Sequence, residues 1–250
     1  MMTMNSRFVF LFTLLIALLS PFPGQADTPT LYYDLGLDSG WVPYQRGLEP
    51  GQPGVYAELM DALQQQSGIQ IREVHMPPKR AALALNTGLV DFDFNVLEWM
   101  EDGTPGEGFV LSEPLYSVTE YLVTTPEHQH KYSEHEDYYG KPIGTIAGYF
   151  YFDDAKFSRV DFLSEEALIL GLKKQRFEAI ILEQHCAQYW ASQHQLDIAF
   201  AVVHTSGPVR MRLREEHADL LPVLNKAIIT LRKNGTIEKI LRNYNIEDSL

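Results

Sequence analysis

The sequence predicts an α/β fold built as two lobes of similar units. Strand-like and helix-like runs alternate along the chain, the pattern of an α/β protein. A helix–turn–acid–strand unit occurs twice, as Leu85-Asn-Thr-Gly-Leu-Val-Asp91 and as Leu172-Lys-Lys-Gln-Arg-Phe-Glu178, with the same leucine-to-acid spacing. Once an N-terminal targeting segment is set aside, 224 of the 250 residues remain. That length suits two lobes of about 100 residues each.

The targeting segment comes first. Arg7 is the only charged side chain in Met1–Ala26, an apolar run Phe8–Leu19 follows it, and Gly24-Gln25-Ala26 ends the stretch in small residues. A short positive start, a short apolar centre and an A-x-A-like end make a secretory signal peptide. The run is too short to cross a bilayer, which takes about 20 residues. The expectation is an exported, soluble, monomeric protein beginning at Asp27 and working in the periplasm.

Composition narrows the partners. The chain carries −13 at pH 7, and losing Arg7 takes it to −14. Such a charge argues against nucleic acid and against anionic lipid surfaces. The single cysteine, Cys186, excludes an intrachain disulfide and reads as a buried, inert thiol in a helical pattern, Glu183–Gln195.

The elements follow in order. Leu31–Leu35 reads as a strand, and Gly54–Gln66 has apolar residues at helical spacing with Gly68 as its stop. Ile69–Val74 is a second strand; Pro77 and Pro78 introduce a helix, Lys79–Asn86, stopped at Gly88. Asp91–Val96, the β-rich Tyr121–Thr125 and Ile143–Ala147 are strands. Ser164 caps a helix, Glu165–Lys174, that carries two acids in its first turn, where the helix dipole favours them. Ala179–Leu182 and Ile198–Val203 are strands, and the end is helical over Ala218–Lys233 and Thr236–Asn243. No period of 20–50 residues recurs, which excludes a repeat array.

Several segments carry a resemblance by their order and spacing. They are Trp41-Val-Pro43-Tyr44, the helix from Gly54 to Leu63, Leu83-Ala-Leu-Asn-Thr-Gly88-Leu-Val-Asp91 and Leu111-Ser-Glu-Pro114-Leu-Tyr116. Gly140-Lys-Pro-Ile-Gly144, Gly148, and the closing run Leu224–Ile240 complete the set. Together they resemble the bacterial extracellular solute-binding proteins of family 3, the amino-acid-type binding components of ABC importers. The resemblance covers Thr30–Tyr244. It implies a type II periplasmic-binding-protein fold, two α/β lobes joined by two crossing strands. Lobe one would comprise 27–117 plus 207–250 and lobe two 118–206, with the ligand between them.

The resemblance also implies site residues. Most amino-acid binders of the family clamp the ligand's α-carboxylate with the Arg of a T-x-x-R motif, because a guanidinium offers a carboxylate two parallel N–H donors. Counted from Asp91, the Thr and Arg positions fall on Trp99 and Asp102, so the clamp is missing. Two ligand readings stay open. In one, Trp41, Tyr44, Glu98, Trp99, Tyr149, Tyr151 and Glu183 form an aromatic and acidic pocket for a cation such as an amine. In the other, Arg80 replaces the clamp, helped by helix N-termini near Gly54 and Gly148. Glu183 stands where the family has an Asp that holds the ligand's amino group.

No metal or cofactor is expected. His128, His130 and His135 sit among acids but match no compact zinc spacing. No H-E-x-x-H, G-x-S-x-G, Walker or dinucleotide fingerprint occurs. The leading expectation is a binding protein, not an enzyme, that captures a small polar ligand, amino-acid-like or a cationic amine, for an ABC permease. The alternatives are a sensor that presents its bound form to a membrane receptor, or a lyase of the cyclohexadienyl dehydratase type on the same fold.

Overall fold

Alternating burial builds the strands of this computed structural model, which describes residues 29–35, 40–76, 80 and 83–247. The expected signal segment lies outside them, as does part of the expected helix Lys79–Asn86. In β1 (Thr30–Asp34), Leu31 and Tyr33 are buried and Tyr32 is exposed. β1 pairs in parallel with β2 (Gln70–Val74). Between them α1 (Val55–Ser67) buries Val55, Tyr56, Leu59, Met60 and Leu63 along one face and stops at Gly68. Gly68 is left-handed (φ 76°) and its N–H donates to Gln64 O, a glycine stop that needs no side chain.

A second sheet runs in the order β3 (Phe92–Asn95), β9 (Ala199–Arg214), β5 (Tyr116–Thr124), β8 (Ala179–Glu183), β6 (Pro142–Ile146), β7 (Ser158–Phe162), with β4 (Phe109–Leu111) also on β9. β3 and β4 pair antiparallel with the C-terminal part of β9, whereas β5 pairs with the rest of β9 and with β8. β6 is parallel to both β7 and β8. The fold is thus two α/β lobes joined by β5 and β9, which pass from one to the other.

The internal echo is real in the backbone. The fourth residue of each unit takes a left-handed conformation, Gly88 at φ 71° and Gln175 at φ 53°. The closing acid of each then fastens the turn. Asp91 accepts the Tyr32 N–H at 2.7 Å, and Glu178 accepts from Lys131 Nζ at 2.9 Å. In lobe two, α2 (Glu165–Lys173) begins at Ser164, whose hydroxyl accepts the Ala167 N–H at 3.2 Å. α3 (Gln184–Gln193) follows β8 directly.

β4 and β7 were not expected from the sequence, and three expected elements have other bounds. β9 extends to Arg214 because Val209, Met211 and Leu213 continue the inward alternation beyond Gly207-Pro208, a pair that masks a strand signal. β5 starts at Tyr116 rather than Tyr121. The helix expected over Ala218–Lys233 is a 3-10 turn, Glu215–Leu220, followed by α4 (Leu221–Lys233), with Pro222 in its first turn. α5 (Thr236–Asn243) packs beside α4 and α1. Among the described residues no helix is long and apolar enough to cross a membrane.

Candidate functional site

The strands end at a cleft. In open α/β sheets ligand sites gather outside the carboxyl ends of strands. Asp34 and Leu35 lie at the end of β1, and Asp93 and Phe94 are the two middle residues of β3. With them, Trp41, Gln45, Tyr56, Trp99, Met100 and Glu101 form the lobe-one wall of a cavity of about 490 Å³. Gly148, Tyr149 and Phe150, after β6, supply the lobe-two wall, and Glu120 of β5 lines the cavity from the crossing strand.

The wall is aromatic and acidic. Trp99 stands edge-on to Trp41 at 5.8 Å between ring centroids, and Tyr56 stacks on Phe94 at 3.9 Å. Four carboxylates, Asp34, Asp93, Glu101 and Glu120, line the cavity; among the described residues no Lys, Arg or His does. Asp93 is held from behind by Arg212, Nε to Oδ1 at 3.0 Å and Nη2 to Oδ2 at 2.5 Å, so that guanidinium is matched within the protein. The Oε1 of Gln45 is buried without a hydrogen-bond partner. At the lobe-two edge the Tyr149 hydroxyl donates to Glu165 Oε1 at 3.1 Å, and burial raises the Glu165 carboxyl above its ordinary range.

Of the eight residues singled out in the sequence, three line the cleft: Trp41, Trp99 and Tyr149. Tyr44 and Glu183 do not, because each is fully buried and turned to the other. The Tyr44 hydroxyl donates to Glu183 Oε1 at 2.9 Å and lies 3.1 Å from His185 Nδ1. Glu183 Oε2 accepts the Cys186 N–H at 2.9 Å, capping α3. Burial, and then the Glu183 charge, push the Tyr44 hydroxyl well above its ordinary value, so it stays a donor. The pair latches the turn after β1 to the end of β8, 139 residues away. Gly40 O reinforces that latch by accepting from Trp190 Nε1 at 2.7 Å and from Cys186 Sγ at 3.4 Å.

The other three lie elsewhere. Tyr151 is buried, its hydroxyl accepting the Ile146 N–H at 3.0 Å, with Arg159 over its ring at 5.0 Å. Glu98 is exposed at the first turn after β3, against Gly207, where an added Cβ would come within 2.1 Å of its Oε2. Arg80 is exposed and is not among the cavity-lining residues. Cys186 is buried, and burial raises its thiol well above the ordinary range, consistent with an inert group.

Sequence reasoning passed over Asp34, Gln45, Asp93 and Glu120, and named Glu101 only as an acid of the lyase alternative. The strand-end rule would have found Asp34, next to last in the predicted strand Leu31–Leu35. The three histidines of 128–135 do not gather. Among the described residues the one group with ligating atoms within 4.8 Å of one another is Asp91, Glu216 and His217, away from the cleft. Its members already hold each other and Tyr32 N–H, with Arg214 on Glu216.

The family model for bacterial extracellular solute-binding proteins, family 3, matches residues 33–247. The chain belongs to that family. Solved structures share its fold at low identity. A mutant of ArgBP from T. maritima is 19% identical, with 86% of this chain and 96% of that chain covered at a TM-score of 0.69. AbpA from Streptococcus pneumoniae, an amino acid ABC transporter substrate-binding protein bound to L-arginine, is 18% identical, covering 85% and 94% at 0.68. AncCDT-1, an ancestral amino acid-binding protein and precursor of cyclohexadienyl dehydratase, is 18% identical, covering 86% and 95% at 0.68. No curated protein sequence matches the chain. This family 3 protein is therefore a ligand-binding protein of the type II fold, and its own cleft must say what it binds.

Proposed function

We propose that this protein is a periplasmic carrier that closes its lobes, 27–117 plus 207–250 and 118–206, on a small cationic amine and delivers it to an ABC permease. One observation carries the choice of ligand. Four carboxylates and six aromatic rings line the cavity, with no cationic side chain among its described lining residues. A cation over an aromatic face gains about 0.5–2 kcal/mol, and a carboxylate in a partly dry cleft adds charge pairing. Trp41, Trp99 and Tyr149 supply faces from both lobes, so the closed form holds the cation better than the open one. That differential affinity is what drives closure. An affinity near micromolar corresponds to about −8 kcal/mol, within reach of a few such contacts after ordering costs.

The lyase alternative fits the cleft less well. Its cyclic carboxylate substrate would meet the like charge of Asp34, Glu101 and Glu120, with Asp93 already matched to Arg212. The resemblance to AncCDT-1 shows the fold alone.

Thermal shift with matched panels of amines, amino acids and organic acids tests the reading. An amine at 100 times its dissociation constant stabilises the native state by about 2.7 kcal/mol. Stabilisation by organic acids, with none by any amine, sinks the proposal.

A further inference from the structure

The crossing strands do not pair evenly. Glu120 pairs with Thr205 and Tyr121 with Val203, so β9 carries one extra residue there, His204. A bulge takes its residue out of the ladder and re-aims the side chain. The His204 side chain is only 1% exposed, with Nε2 3.0 Å from Asp153 Oδ1. Its Nδ1 lies 3.6 Å from Glu120 Oε2, an ion-pair separation without a hydrogen bond. Glu120 Oε2 also accepts the Thr205 hydroxyl at 2.6 Å, and Thr205 Oγ1 accepts the Trp99 indole N–H at 3.2 Å. Glu120, 6% exposed, lines the cleft while its partners approach from behind. A buried carboxylate is costly unless its charge is matched, and here the matching stops at a hydroxyl and an imidazole.

We propose that Glu120 is the carboxylate that recognises the positive charge of an amine ligand, with Thr205 and His204 as its positioning residues at the strand bulge. This assignment rests on the cationic-ligand reading above. It ties recognition to the hinge, because the acid and both partners stand on β5 and β9 themselves. It also ties binding to a proton. When His204 carries charge it faces Glu120 and competes with the ligand; when it is neutral, Glu120 turns its full charge on the cleft.

Rings and acids surround the imidazole. Phe152 stacks on it at 4.8 Å, while Tyr151 and His135 stand at 5.8 and 6.5 Å. Tyr138 donates to the second oxygen of Asp153, and the guanidinium of Arg159 is paired with Asp161. Burial alone would lower the His204 imidazole. The hydrogen bond to Asp153 and the charge of Glu120 outweigh burial and hold it above the ordinary 6.5. Cation affinity therefore rises with pH through that raised value, as His204 gives up its proton.

Calorimetric titration of the full exported chain with tetramethylammonium, 1,4-diaminobutane and arginine as probes tests the assignment. Glu120→Gln weakens the best-bound amine by about tenfold or more, and Glu120→Asp recovers part of the loss. A surface control, Glu127→Gln, changes affinity by less than about twofold. Wild-type affinity rises between about pH 6 and about pH 8, and His204→Gln flattens that profile. Full amine affinity in a folded Glu120→Gln variant overturns this assignment alone. Should that variant unfold, an unflattened profile in His204→Gln overturns it. A wild-type chain that binds none of the amines removes both this assignment and the reading beneath it.

Discussion

Trp41 and Tyr44 stand three residues apart in one turn, and they end in opposite environments. Trp41 joins Trp99, Tyr149 and the carboxylates of the open cleft. Tyr44, 5.3 Å from Trp41 ring to ring, points into a sealed contact with Glu183 and His185. Both regions pair aromatics with acid. The difference is saturation. In the latch, Glu183 meets a hydroxyl, an imidazole and a backbone N–H, so its charge is answered within the protein. In the cleft, carboxylates line a cavity with no cationic side chain among the described lining residues. Among the cleft acids Asp93 is matched from behind by Arg212, whereas Glu120 meets only the Thr205 hydroxyl and, at 3.6 Å, the His204 imidazole, which leaves its charge for a ligand.

The largest test breaks the latch. Glu183→Ala strands the Tyr44 hydroxyl and the Cys186 N–H in a dry interior and removes the cap of α3. It destabilises the protein by about 2–5 kcal/mol in urea unfolding, the sum of an unsatisfied buried donor and a lost helix cap. A variant of wild-type stability that has lost ligand affinity would move Glu183 out of the latch and back to ligand contact. Tyr44→Phe is milder, removing one donor while keeping the ring stacked on Tyr116 at 5.7 Å. It costs about 1–3 kcal/mol of stability.

The cleft responds in the opposite coin, affinity. Tyr149→Leu removes an exposed ring face and loses about 0.5–2 kcal/mol of amine binding by calorimetry. It changes stability less than Tyr44→Phe does, because Tyr149 is 42% exposed. Unchanged affinity would place the ligand on the lobe-one wall alone.

The fold was legible because its signals are local. Capping at Ser164, the glycine stop at Gly68 and the repeated turn at Gly88 and Gln175 all sit within a few residues of what they shape. β9 was cut short because Gly207-Pro208 imitates a loop while strand pairing on both sides overrides it. The cleft was half legible. Trp41, Trp99 and Tyr149 followed from chemistry and order. The acids did not, since whether a carboxylate lines a cavity or caps a helix depends on partners far along the chain, as Tyr44 and Glu183, 139 residues apart, illustrate.

The smallest expected effect belongs to Arg80, and it sharpens the comparison most cheaply. Arg80 is the sequence's candidate to replace the missing carboxylate clamp, and a guanidinium in the cleft would reverse the sign of the preferred ligand. The structure leaves Arg80 exposed and outside the cavity-lining set. Solvated, it contributes little, so Arg80→Ala shifts both unfolding stability and amine affinity by less than about 0.5 kcal/mol. If Arg80→Ala instead abolishes binding of an organic acid while the protein stays folded, the charge of the cleft is set by a residue that swings in on closure. The acids of the wall would then serve to orient that arginine rather than to meet a cation.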